Sequence, residues 1–423
     1  MRKFIATLLV LVLALGLVPT LAEDINITLF HNKVEIAEPL QAFAKLYSDK
    51  TEGVTVNIET LGGGADYSGN LTAKLTAESM PDIFVIEGDG DYKLWQEYVT
   101  DLSDEKWNEE TTLAYKDPEG KVVGFPVSIE GFGLGYNVEL LDKAGVDPAT
   151  LTTFSALKEA FEKIDGMKGE LGLDSVVSMG ASVAGGTWWV AGHHNFSIYL
   201  GGGLDFEDTT IVDMFNKGEV DEERLADYAK YVQLLFQFSN KEVTTNGTYD
   251  DQLAAFVNKK AAFIHQGNWV DPSFAKMNID FEYDYISHPF NDKQEHTGLY
   301  LFAPSFYVLN SKNSPEKIQA AKDFLEFLVF SEEGADYMVN GAGMVPAFAN
   351  VTLQPSGGFS KALVRANAEG GNHGVFFGKL PPGTGQDVLA PIYDLFAQDA
   401  SDENLDFFIE DIKGAAKTVS EKQ

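Results

Sequence analysis

The sequence predicts an α/β protein of two lobes, each a mostly parallel sheet flanked by helices, joined by more than one chain crossing. Three observations carry this expectation. The chain has 423 residues, beyond the size at which a single hydrophobic core usually stops growing. Strand and helix patterns alternate at βαβ spacing through its first ninety or so residues. The stretch Gly124–Asn137, GFPVSIEGFGLGYN, is β-prone throughout, yet longer than an ordinary strand of about five or six residues. Glu130 and Gly131 interrupt it without a loop. It reads as a strand leaving one lobe and a strand entering the next, with Glu130 on the floor of a cleft. A surface glutamate at a bulge is the plainer alternative.

The elements follow in order. Ile25–Phe30 alternates as a strand and ends at His31-Asn32-Lys33. Leu40, Phe43, Ala44 and Tyr47 then mark one face of a helix at i, i+3, i+4, i+7 spacing. Val54–Thr60 is a second strand, closed by Gly62-Gly63-Gly64. Asn70–Ala77 is a helix stopped near Pro81, and Asp82–Ile86 is a strand of the buried type with a loop, Glu87–Asp91, at its end. Ligands of parallel sheets bind outside the carboxyl ends of the strands, so His31–Lys33 and Glu87–Asp91 share a candidate edge.

Beyond Glu130, Phe154–Ile164 reads as a helix capped by Thr152 or Thr153. Gly185-Gly186-Thr187-Trp188-Trp189 opens an apolar segment that ends at Gly201-Gly202-Gly203. Leu225, Tyr228, Val232 and Leu235 mark a long amphipathic helix. A short helix (Leu253–Val257) and a strand (Ala261–Ile264) lead to Gly267-Asn268-Trp269. Tyr283–Ile286 and Ser305–Leu309 are further strands, Pro315 starts a helix, and an acidic helix follows Asp402.

Composition narrows the function. Arg2 and Lys3, the apolar run Phe4–Val18 and the small residues before Glu23 form a signal-peptide pattern, 1–22. An exported protein, periplasmic or secreted, is therefore expected. The chain has no cysteine, which removes thiolate metal sites, cysteine nucleophiles and a lipid-modified cysteine. Its net charge is −33, and −35 once Arg2 and Lys3 are cleaved away, so nucleic acid and anionic membranes are repelled. A neutral or cationic ligand is favoured.

Four stretches, PDIFVIEGD, GKVVGFPVSIEGFGLGYNVELLDKAG, FVNKKAAFIHQGNW and SPEKIQAAKDFLEFLVFSEEGADYM, together resemble bacterial extracellular solute-binding proteins. They are most similar to the carbohydrate-binding branch that includes the maltose-binding protein. The resemblance implies a hinged periplasmic-binding-protein fold that closes on a sugar and delivers it to an ABC importer, whose membrane permease subunits lie on other chains. It implies lobes of 23–130 plus 285–313 and of 131–284 plus 314–423. Glu130 then matches a cleft-floor carboxylate able to accept two sugar hydroxyls, and Trp269 a sugar-stacking indole. Asn32 and Lys33 match the loop after the first strand, and Asp89 an acidic residue after the third. Trp188 and Trp189 lie near a second aromatic platform, and Asp271 is included for its nearness to Trp269. Ile86 stands where maltose-type relatives carry an aromatic, and the match blurs around Phe376, Phe377 and the loop Pro381–Asp387, so the sugar is left open. Several aromatics favour an oligosaccharide over a monosaccharide.

The same residues admit other readings. Adjacent Trp188 and Trp189 on a strand would point to opposite faces, one to the core and one outward. Glu87-x-Asp89-x-Asp91 opens like a calcium loop, but Tyr92 and Tyr98 replace its glycine and glutamate. His193-His194 lacks a third ligand and is expected to be solvated. A secreted glycoside hydrolase would pair Glu130 with Asp89 or Asp271 across a glycosidic bond, though no eightfold βα repeat is present. A polyamine-like cation would suit the same carboxylates. Neither cofactor nor metal is expected, and a monomer suits the carrier role.

Overall fold

A computed structural model describes residues 24–422; the signal-peptide pattern lies outside them. The first sheet has the order β2-β1-β3-β11-β5-β4 and the second β12-β10-β6-β8-β7, with β9 also paired to β6. In chain order the strands are β1 (Ile25–His31), β2 (Val54–Thr60), β3 (Ile83–Ile86), β4 (Tyr115–Lys116), β5 (Val122–Pro126), β6 (Glu130–Asn137), β7 (Ser175–Ser178), β8 (Ala261–Gly267), β9 (Tyr283–Ile286), β10 (Tyr300–Phe302), β11 (Phe306–Leu309) and β12 (His373–Gly374).

The βαβ reading of the N-terminal region holds. Strand β1 pairs in parallel with β2 and β3, and helix Ala37–Lys50 buries Leu40, Phe43, Ala44 and Tyr47. Local capping chemistry sets several helix starts. Asp66 accepts from Gly69 N ahead of helix Tyr67–Thr76, Thr153 caps Phe154–Gly166, and Ser314 caps Pro315–Phe330, which has proline in its first turn.

The sheets are mixed rather than mostly parallel. The long run around Glu130 does divide, as expected: β5 ends in the first sheet, β6 begins in the second, and Val127–Ile129 bridges them. The chain returns from β10 in the second sheet to β11 in the first through Ala303–Ser305. An outgoing and a returning crossing laid side by side must run in opposite directions. That is why β11 pairs antiparallel with β5 and β10 antiparallel with β6. Val345, bridged to Ile129, belongs to a third passage across the same waist.

These crossings also move the lobe boundaries. Residues 285–302 were expected in the first lobe, but Tyr285, Ile286 and Tyr300–Phe302 extend the second sheet. Helix Pro315–Phe330 was expected in the second lobe, yet Phe324 packs on Phe43 and Tyr47, and Tyr337 and Phe348 join the same core. The reason is apolar pairing: this helix covers the face of the first sheet beside helix Ala37–Lys50. The second lobe has its own core, centred on Phe132, Phe161, Tyr228 and Phe263. No described helix is long and apolar enough to cross a membrane.

Candidate functional site

The carboxyl ends of β1, β2 and β3 face the start of β6, and a cavity of about 260 Å³ lies between the lobes at that edge. Its first-lobe wall is polar. Lys33, just past β1, places its ammonium 2.6 Å from Glu130 Oε1. Ser128 Oγ donates to the same oxygen at 3.1 Å. Asn32 donates its amide to Glu87, and Asp91 Oδ2 accepts from Glu87 N at 2.9 Å. Tyr249, from the second lobe, donates its hydroxyl to Glu35 Oε1 at 2.9 Å.

The electrostatics follow from one ammonium among several carboxylates. Burial alone would lower Lys33, but the charge and hydrogen bond of Glu130, with Glu35 and Glu87 nearby, hold it above its ordinary value. Burial pushes Glu35 up, against the pull of Lys33. Glu87 is raised to about 7, mainly by burial and then by the charge of Asp91, with Lys33 opposing.

The second-lobe wall is aromatic. Gly267, Asn268 and Trp269 form the turn that ends β8. Asn268 Oδ1 accepts from Gly131 N at 3.1 Å and ties this turn to the residue after Glu130. The Trp269 ring folds back over Gly267, where a Cβ would lie 2.0 Å from it, so only glycine admits this pose. Trp269 Nε1 donates to Gln266 Oε1 at 2.9 Å. Trp189 stands edge-on to Trp269, with centroids 6.3 Å apart.

Trp188 and Trp189 both line the cavity, contrary to the strand expectation. They occupy the first turn of a helical segment, where neighbours diverge by about 100° rather than 180°. His193 and His194, expected in solvent, lie on the next turn, a π-helical stretch Val190–Asn195. His193 stacks on Phe377 at 4.5 Å and 4°, and His194 leans on Trp269 at 4.6 Å. Burial lowers His193 to about 4 and also holds His194 well below its ordinary value, which keeps both rings neutral near pH 7.

The cavity thus gathers Asn32, Lys33, Glu130, Trp188, Trp189 and Trp269. It does not gather Asp89 or Asp271. The expected loop Glu87–Asp91 turns into a helix at Asp89 (Asp89–Trp95). Asp89 points outward, bonded by Tyr115 Oη at 2.9 Å and paired with Lys379 at 3.3 Å. Its neighbours Glu87 and Asp91 face the cavity instead. Asp271 is buried elsewhere, accepting from Tyr283 Oη at 2.9 Å and Ser360 N at 2.8 Å. It holds two elements together. Sequence reasoning missed Glu35, His193, His194 and Phe377. Only the strand-end rule pointed toward Glu87 and Asp91.

This arrangement offers charged and hydrogen-bonding groups on one side and aromatic faces on the other. A family model described as bacterial extracellular solute-binding protein matches residues 41–365. The melibiose/raffinose/stachyose-binding protein MelE of Bacillus subtilis (strain 168) is 24% identical over 335 residues, covering 73% of this chain and 70% of MelE. Among solved structures, a sugar transporter from Bacillus licheniformis in complex with stachyose is similar at a TM-score of 0.73 and 19% identity, covering 94% of this chain and 100% of that one. A chitin oligosaccharide binding protein is similar at a TM-score of 0.77 and 16% identity, with 95% and 100% covered.

Proposed function

Because the chain belongs to the bacterial extracellular solute-binding proteins, we propose that it is an extracytoplasmic saccharide carrier for an ABC importer. The observation that carries this reading is the split character of one cavity, with Trp188, Trp189 and Trp269 on one side, Asn32 and Lys33 across the lobe junction, and Glu130 at the junction itself. A pyranose has an apolar C–H face and an equatorial rim of hydroxyls. Indole faces cover the first with little loss of rotamer freedom, and carboxylate and ammonium groups bond the second with charge-assisted strength. A ligand touching both walls stabilises the closed arrangement of the lobes by contacts that an open arrangement lacks, so it shifts the population toward closure. The names of MelE and of the two structural neighbours support a saccharide. The protein binds without chemistry, acts as a monomer, and passes its ligand to permease subunits on other chains.

A cationic ligand is the second reading, because Glu35, Glu87, Asp91 and Glu130 share the cavity with Lys33. A thermal-shift screen of the mature protein separates the two. Native-state ligands raise Tm by mass action. The panel holds mono- and oligosaccharides, spermidine and calcium, with released reducing sugar assayed in the same tubes. A shift with one saccharide series and no hydrolysis is expected. A shift with spermidine or calcium alone would replace the saccharide reading, and released sugar would replace the binder reading.

A further inference from the structure

Two side chains from elements that belong wholly to different lobes meet beside the cavity. Glu35 lies between β1 and helix Ala37–Lys50 of the first lobe. Tyr249 opens helix Tyr249–Val257, whose Leu253 and Phe256 share a core with Ile264 of β8 in the second lobe. A capping box of Thr248 and Asp251 fixes the first turn of that helix, and with it the place of the Tyr249 ring. The residue is 8% exposed, and its ring stands edge-on to Trp189 with centroids 5.4 Å apart. Its hydroxyl crosses between the lobes and donates to Glu35 Oε1 at 2.9 Å. Glu35 lines the cavity; Tyr249 does not. Other side-chain contacts between the lobes differ in kind. Glu38–Lys276 at 3.2 Å and Asp89–Lys379 at 3.3 Å pair exposed groups, which contribute little in water. Trp188 Nε1 reaches the Gly64 carbonyl at 3.3 Å. Lys33–Glu130 is buried, but Glu130 begins the crossing strand itself.

We propose that Tyr249 and Glu35 form a latch that holds the closed arrangement of the lobes, so that Tyr249 sets how long a ligand stays bound without touching it. The inference rests on the carrier reading above and adds to it a positioning residue outside the cavity. Neither residue stands on a crossing, so the contact must break when the lobes part. In an open arrangement water bonds the phenol and the carboxylate separately. On closure the Glu35 carboxylate is withdrawn from water, which is unfavourable unless a donor meets it. Tyr249 supplies that donor from the opposite lobe. Lys33 also favours the charged form of Glu35, but it belongs to the same lobe and is present whether the lobes are open or closed. The Tyr249 ring backs Trp189, so the latch forms with the aromatic wall in place.

The test is Tyr249→Phe, which keeps the ring against Trp189 and removes only the donor. Calorimetric titrations use melibiose, raffinose, stachyose and the N-acetylglucosamine dimer and tetramer. Stopped-flow fluorescence reads the rates, and melts of the ligand-free protein confirm that the variant is folded. The latch changes the closed population and not the ligand's own contacts, so affinity should fall by one common factor for every probe that wild type binds. A fall of about tenfold is expected, the scale of one hydrogen bond to a charged group. It should appear in koff, with kon nearly unchanged. The ligand-free melting temperature should stay near that of wild type, because water satisfies both groups when the lobes are apart; a merely structural tyrosine would lower it. A double-mutant cycle gives a second readout: in the Glu35→Ala background, Tyr249→Phe should have no further effect on affinity. Losses that differ among probes, unchanged affinity in the folded variant, or additive losses in the cycle would each overturn the latch and leave the carrier reading standing. Wild type that binds no member of this set or of the panel above would remove the carrier reading itself, and the inference with it.

Discussion

The Lys33 ammonium lies 2.6 Å from the Glu130 carboxylate, joining the end of the first strand of one lobe to the first residue of the crossing strand of the other. Both side chains are largely buried, at 16% and 8% exposure. The pair therefore couples lobe geometry to the chemistry of the cleft floor.

Glu130→Gln keeps the shape and removes the charge. Lys33 then loses its charged partner in a buried setting, although Glu35 and Glu87 remain close enough to compensate in part. The expected loss of stability is about 2 kcal/mol, within the range for charged hydrogen bonds and below that for a wholly uncompensated buried charge. Urea denaturation measures it. Saccharide binding should weaken about tenfold by calorimetry. A variant with wild-type affinity would take Glu130 out of the binding groups.

Trp269→Ala removes an indole wedged between Trp189 and His194 and leaves Gln266 Oε1 without its donor. Loss of an aromatic anchor costs on the order of 1–3 kcal/mol of binding free energy. Calorimetry with the best probe reads this directly, while quenching of tryptophan fluorescence by ligand should shrink in the variant. An unchanged Kd would show that the ring is packing alone.

Glu87 makes stability depend on pH. Its carboxyl rises from an ordinary 4.5 to about 7 on folding, so between those values the native state binds the extra proton. Its contribution to stability therefore falls as pH rises through that window and is fully lost above it. The buried histidines oppose this: His193 is lowered from 6.5 to about 4, which makes its contribution rise with pH over that interval. The difference between wild type and Glu87→Gln isolates the carboxyl. Relative to wild type, the variant should gain roughly 2–3 kcal/mol between pH 4.5 and 8, read from chemical denaturation at each pH. A constant difference across that range would reject the upward shift of the Glu87 carboxyl by burial.

Asp271→Asn separates architecture from binding. Its oxygens accept from Tyr283 and from Ser360 N, and it lines no part of the cleft. Stability should drop by about 1–3 kcal/mol, as for a buried hydrogen-bond network left partly unsatisfied. The Kd for the saccharide should stay within about twofold. A large change in affinity with normal stability would return Asp271 to the site.

The features legible in the sequence are those written in local pattern. The 3.6-residue spacing of Leu40, Phe43, Ala44 and Tyr47 gives a helix wherever it packs, and the long apolar run broken only at Glu130-Gly131 is itself the record of a crossing. Asn32 and Lys33 stand at a strand end, a local feature with a definite place in an α/β sheet, whereas Trp188, Trp189 and Trp269 are named through the resemblance to solute-binding proteins. The tertiary structure decided what depends on partners distant in the chain. Helix Pro315–Phe330 reads identically whether it covers the first sheet or the second; contacts with Phe43 and Tyr47 assign it to the first. One turn of helix beginning at Asp89 sends that residue out and leaves Glu87 and Asp91 facing the cavity. His193 stacks on a phenylalanine 184 positions later. A sequence records the apolar and hydrogen-bonding capacity of each segment, but the partner that meets it is chosen by the packing of all segments at once.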